Sequence, residues 1–130
     1  MNADRALRES YNEWRRLSEA EGDAICAGNW MLVFACQGAL RRLQPLITHR
    51  KGEAWQEWAR TGLNCQEKEK ELSQIVTSLI ELERRNRCLL ETRRRAAQTE
   101  LARLDEAGLA LRRIQHSYAA APAASPSSRI

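Results

Sequence analysis

Four cysteines, at positions 26, 36, 65 and 88, and two histidines, at 49 and 116, are the residues best able to hold a metal or act as nucleophiles. Structural zinc sites take such ligands in closely spaced pairs, as in CxxC, so that one turn of chain presents two donors to one ion. No CxxC occurs here, and neither histidine lies at ligand spacing from a cysteine. The cysteines therefore read as small apolar residues on helix faces, and no metal or other cofactor is expected. Carboxylates offer no better site. Glu81 and Glu83 lie two apart and point in different directions on a helix, and the run "EKEKE" at 67–71 reads as a solvated charged surface. No glycine-rich phosphate loop, GxSxG elbow or HExxH is present, and these are the arrangements that position reactive groups. Catalytic residues are not expected, and the chain does not read as an enzyme.

The stretch "LERRNRCLLETRRR", residues 82–95, raises nucleic-acid binding instead, with six arginines. On a helix each residue turns about 100°. Leu72, Ile75, Leu79, Leu82, Asn86 and Leu90 then share one stripe, while Arg84, Arg85, Arg87, Arg94 and Arg95 spread over most of the remaining circumference. A DNA-reading helix gathers its basic residues on one side, where they meet phosphates together. Residues 84–113 hold nine arginines against four acids, a local excess of +5 in a chain of net charge +4. The interspersed acids dilute any continuous phosphate track. No nucleic-acid partner is expected, and the informative face is the apolar one.

The elements that carry this face follow from composition. In 130 residues there are three prolines and six glycines, and Ala, Leu, Glu, Gln and Arg dominate, which favours helix throughout. No stretch alternates in the period of two that a half-buried strand needs. The fold class is all-α: an elongated antiparallel helical hairpin or three-helix bundle, in one domain over 1–118. A first helix over about 4–27 sets Leu7, Tyr11, Trp14, Ser18, Glu21 and Ile25 on one seam. Gly28 caps its end and Asn29 starts the next. The second helix, about 30–48, turns Val33, Gln37, Leu40, Leu43 or Gln44, and Ile47 inward. Pro45 is expected to kink or end it, and 49–64, with Gly52, Gly62, Trp55 and Trp58, reads as a connector. A long third helix covers about 63–118. The tail, 119–130, is small, polar and proline-bearing, which predicts disorder.

A lone helix of that length has no core, so the first two helices are expected to fold back along it. They cover one half better than the other. Beyond Arg93 the stripe continues through Ala97, Leu101, Leu104, Gly108, Leu111, Ile114 and Tyr118. Periodicity alone leaves two readings open: this distal face is hairpin core, or it is offered bare to a partner. Asn86, a polar residue on the seam, is expected to set register. The N-terminus has no apolar signal region, and no stretch approaches the ~20 apolar residues of a membrane span. The expected location is the cytosol, with no membrane insertion.

"LSEAEGDAICAGNW" (17–30) resembles the leucine–acid–Ala–Leu–Gly–Asp signature in the first helix of FlgN-type flagellar export chaperones. "LIELERRNRCLLETRRRAAQTELARLDEAGLALRRIQHSY" (79–118) is similar to their long final helix, which carries an Asn followed by leucines, here Asn86, Leu89 and Leu90, and ends near a Tyr, here Tyr118. FliT-type chaperones have the same general look. The resemblance implies a cytosolic type III export chaperone. Its partners are secreted hook–filament junction proteins, which it keeps from assembling early and delivers to the cytoplasmic domain of the export gate. It also implies that Asn86, Leu89, Leu90, Ala97, Leu101, Leu104, Leu111 and Ile114 receive the cargo's C-terminal segment and that Tyr118 touches the gate. Two features depart from the family. Here "SYAAAPAASPSS" replaces a glycine-rich ending, and Pro45 stands where a lysine-rich stretch is usual. The alternative is a coiled-coil scaffold without an export role, and the resting state is a monomer or homodimer.

Overall fold

The computed structural model describes the backbone of residues 2–124 and the side chains of residues 2–119. Helices α1 (Asn2–Ala27), α2 (Trp30–Arg60) and α3 (Cys65–Ala124) are its elements, so the chain is all-α with one long C-terminal helix. Two turns separate them, and both use the same chemistry. At the end of α1, Gly28 takes φ +70°. The amide of Asn29 bonds the carbonyl of Ala24 at 2.9 Å, and that of Gly28 bonds the carbonyl of Ile25 at 3.1 Å. This is the Schellman arrangement, which satisfies carbonyls that the helix can no longer pair. At the end of α2, Gly62 (φ +73°) repeats it, with Leu63 bonding Trp58 at 2.9 Å. An asparagine restarts the helix each time. The side-chain oxygen of Asn29 accepts from the amide of Leu32 at 3.3 Å, and that of Asn64 from the amide of Gln66 at 3.0 Å. Both positive-φ positions need glycine because a Cβ there meets the following carbonyl.

Contacts between α1 and α3 keep a nearly constant offset. Arg8 reaches Glu71 and Arg15 reaches Ser78, each 63 residues on, and Asn86 reaches Glu21, 65 residues back. A constant offset means that the two helices run parallel. α2 runs against both. Its C-terminal Glu57 accepts from the amide of Asp4, and Arg50 donates to the carbonyl of Ala6 at 3.3 Å and to the Ser10 hydroxyl. Lys51 pairs with Glu69 at 3.3 Å. Every member of the first-helix seam is buried or half-buried, and so is the stripe Leu72–Ile75–Leu79–Leu82–Asn86–Leu90. One core cluster joins Leu7, Tyr11, Ala54, Trp58, Leu72 and Leu79; a second joins Ala24, Ile25 and Val33, with Leu89 and Leu90 against it.

The expected connector is corrected by the structure. Residues 49–60 continue α2, and Pro45 lies inside it. A proline withholds its amide from the carbonyl four residues back, here that of Arg41. Arg41 and Pro45 are both exposed, so water can serve that carbonyl and the helix continues. Gly52 is likewise on the outside, while Ala54 and Trp58 enter the core. Their burial, with helix-favouring residues such as Lys51, Glu53 and Gln56 around them, carries the helix past Gly52. The helix α3 extends to Ala124, and residues 125–130 of the predicted tail lie outside the described residues.

The chain divides into two compact units, Met1–Glu91 and Thr92–Ile130. The boundary follows from helix lengths. With an offset near 63, α1, which ends at Ala27, is matched on α3 only as far as about Leu90. The first unit is the three-helix bundle. The second, among the described residues, is the helix from Thr92 to Ala124.

Candidate functional site

The sequence-predicted partner residues fall into two groups. Asn86 is 3% exposed, and Leu89 and Leu90 are half-buried against Ala24, Ile25 and Val33. These three lie within the bundle, packed against α1 and α2. The reason is geometric, because they lie within the length of α3 that α1 matches. Asn86 donates through Nδ2 to the carbonyl of Ser18 at 2.7 Å and to the carboxylate of Glu21 at 3.0 Å. Its Oδ1 accepts no hydrogen bond and faces the Cα of Gly22. A Cβ on Gly22 would sit 2.6 Å from that oxygen and 2.8 Å from Nη2 of Arg85. So Gly22 admits the asparagine, and the asparagine supplies a buried donor to the buried Glu21.

The second group is exposed. Leu101 (60%), Leu111 (62%) and Tyr118 (71%) present more than half their surface, and Leu104 and Ile114 are similar. Ala97 is exposed too, and from Thr92 to Ala119 only Gly108 is even partly covered. Leu101, Leu104, Leu111 and Tyr118 recur at helical spacing, so their side chains lie along one face. Exposed leucines scattered singly are ordinary, whereas a run of them on one helix face is how an apolar surface for another helix is built. At its edge the Arg103 guanidinium bonds Glu100 at 2.6 Å. That hydrogen bond holds the Glu100 carboxyl below the usual carboxylate range.

One surface feature was not legible in the sequence. In the first unit a groove of about 570 Å3 runs between α2 and α3, lined by Tyr11, Trp14, Pro45, Ile47, Val76 and Ile80 among others. Pro45, with no amide to offer and a rigid ring, marks it. Of the connector tryptophans, Trp58 is buried and Trp55 exposed, their rings 6.3 Å apart and tilted by 56°. The reactive residues are dispersed. Cys36 is buried and Cys65 half-buried, Cys26 and Cys88 are on the surface, and His49 pairs with Glu53 at 2.8 Å. Among the described residues no three His, Cys, Asp or Glu are grouped to hold a metal ion. Nor is any described helix long and apolar enough to cross a membrane. In the basic segment Arg84, Arg85, Arg87, Arg93, Arg94 and Arg95 are all exposed.

Compared with family models, curated proteins and solved structures, the chain has no significant match.

Proposed function

We propose that the chain is a non-enzymatic, cytosolic export chaperone of the FlgN type that receives the unstructured C-terminal segment of a secreted flagellar junction protein. The observation that carries this reading is the exposure of Leu101, Leu104 and Leu111 along one face of α3, with Ile114 exposed at its edge. The likeness of residues 17–30 and 79–118 to that family adds the nature of the client. A disordered segment folds as an amphipathic helix on the face and loses chain entropy as it buries apolar area. At ~25 cal/mol per Å2, a few hundred Å2 supplies several kcal/mol before those costs. The net affinity is modest, which suits a cargo that must later be released at the export gate. Tyr118, at the far end of the face, is the proposed gate contact.

The test is a pull-down of junction-type proteins from native cytosol with the intact chain and with Leu101→Asp/Leu104→Asp. Retained helicity with lost capture supports the reading. Equal capture by both chains places the client elsewhere. A scaffold without an export role uses the same face but captures no secreted client.

A further inference from the structure

The exposed face of α3 carries charges as well as leucines, and their order selects one occupant. In heptad notation, with Leu101 at a, Leu104, Leu111 and Tyr118 are d positions, and Gly108 and Gln115 are the other a positions. Asp105 and Arg112 then fall at e, and Glu100, Ala107 and Ile114 at g. These flanking residues decide partner and direction in a coiled coil. We propose that a second copy of this chain covers the face, antiparallel, with Leu101 of one copy against Tyr118 of the other and Gly108 against Leu111.

That register is chosen by elimination. In a parallel pair g meets the following e of the neighbour, so Glu100 faces Asp105 twice, and glycine faces glycine at the centre. In the antiparallel pair e meets e and g meets g. In the proposed register Asp105 meets Arg112 on one flank, twice by symmetry, and Ala107 meets Ile114 on the other. Ile114, off the a/d seam, thereby gains an apolar neighbour. Sliding by one heptad one way sets Asp105 against Asp105. Sliding the other way sets Arg112 against Arg112. One register alone matches opposite charges. Gly108, which has open space where a Cβ would stand, lets the Leu111 side chain lie close to the helix.

The overlap runs from Arg95 to Ala124 in each copy, wholly within the second unit. It therefore asks nothing of the bundle, and Asp105 and Arg112 are exposed and absent from both core clusters. A client helix and a second copy compete for one face, so self-pairing keeps the leucines from water until a client displaces it. The pairing itself requires no client.

Sedimentation equilibrium of the full chain across concentration and at low and high salt tests the proposal without any client. The expected result is a reversible monomer–dimer equilibrium. Asp105→Arg and Arg112→Asp should each weaken it by about tenfold, since two attractive pairs become repulsive. The double variant Asp105→Arg/Arg112→Asp recreates both pairs in reverse and should return dimerisation to within about threefold of the parent. The charge effects should shrink at high salt, and Leu101→Asp should give a monomer with unchanged helicity. A chain that is monomeric at every concentration overturns the proposal and leaves the face to a different protein. So does a dimer that ignores the single reversals, or one that the double variant does not restore.

Discussion

The side-chain nitrogen of Asn86 donates a buried 2.7 Å hydrogen bond to the backbone carbonyl oxygen of Ser18, tying α3 to α1 across 68 residues of sequence. The same nitrogen serves the Glu21 carboxylate, so the bundle carries an acid in its interior beside one amide donor. Replacing Asn86 by Ala leaves that carboxylate without this donor. Loss of a hydrogen bond to a charged group costs about 1.5–3 kcal/mol, so urea unfolding of Asn86→Ala should show a destabilisation of that size. A variant within about 0.5 kcal/mol of the parent, the usual scatter of surface substitutions, makes the tie dispensable.

Gly22 gives a sharper test of the same contact. In a helix interior Gly→Ala ordinarily stabilises by about 1 kcal/mol. Here the new methyl would sit 2.6 Å from Asn86 Oδ1, and overpacking of that kind costs about 1–3 kcal/mol. Gly22→Ala should therefore destabilise the parent but stabilise the Asn86→Ala background. A double-mutant cycle reads the change of sign directly, and additive effects would mean that the two residues do not meet.

Pro45 should be replaceable at a gain. The helix already passes through it, so Pro45→Ala returns an amide to the Arg41 carbonyl without asking the backbone to move. A rise in stability of about 1–3 kcal/mol is expected, measured by thermal unfolding with unchanged helicity. A loss would show that the ring's packing in the α2–α3 groove outweighs the hydrogen bond.

Alkaline pH should loosen the bundle in two stages. Burial pushes the Cys36 thiol up, with the Glu21 carboxylate adding to it and Arg16 opposing, and burial likewise raises the Tyr11 hydroxyl. A group whose folded pKa is raised contributes stability below its unfolded pKa and loses it as pH climbs through the folded value. The decline should begin above about pH 8.5 for Cys36 and above about pH 10 for Tyr11. Cys36→Ala should delay the first stage and leave the second, as followed by stability measured across pH.

Two leucines at comparable seam positions of α3 should behave oppositely. Leu79 is buried among Leu7, Tyr11, Ala54 and Trp58, while Leu101 is exposed. Leu79→Ala should cost about 2–5 kcal/mol, whereas Leu101→Ala should stay within about 0.5 kcal/mol at concentrations where the chain is monomeric. A large cost at Leu101 in the monomer would place it in the core.

The seam residues from Leu7 to Ile25 and from Leu72 to Leu90 were legible because burial on a helix leaves a period in the sequence. Gly28 and Asn29 were legible because they mark a local conformation. Pro45 and Gly52 misled as breakers, since whether such a residue stops a helix depends on which side faces water, and that is set by partners such as Ala54 and Trp58. The division of the final helix between Leu90 and Thr92 leaves no mark in periodicity, because leucines recur on both sides of it. It is written in the length of α1, which is exhausted at Ala27. Asn86 was visible as an exception on the stripe, but its partner Glu21 and the clearance at Gly22 come from residues more than sixty positions away.

The shortness of the first turn has a consequence for how the molecule comes together. Only Gly28 and Asn29 separate α1 from α2, so the first two helices close on each other across a minimal loop, with little entropy lost. They also leave the ribosome before α3, and local pairings of this kind form fastest. The hairpin they make can wait as a template while the last sixty residues of helix are still being synthesised, and α3 docks by extending alongside a partner already in place.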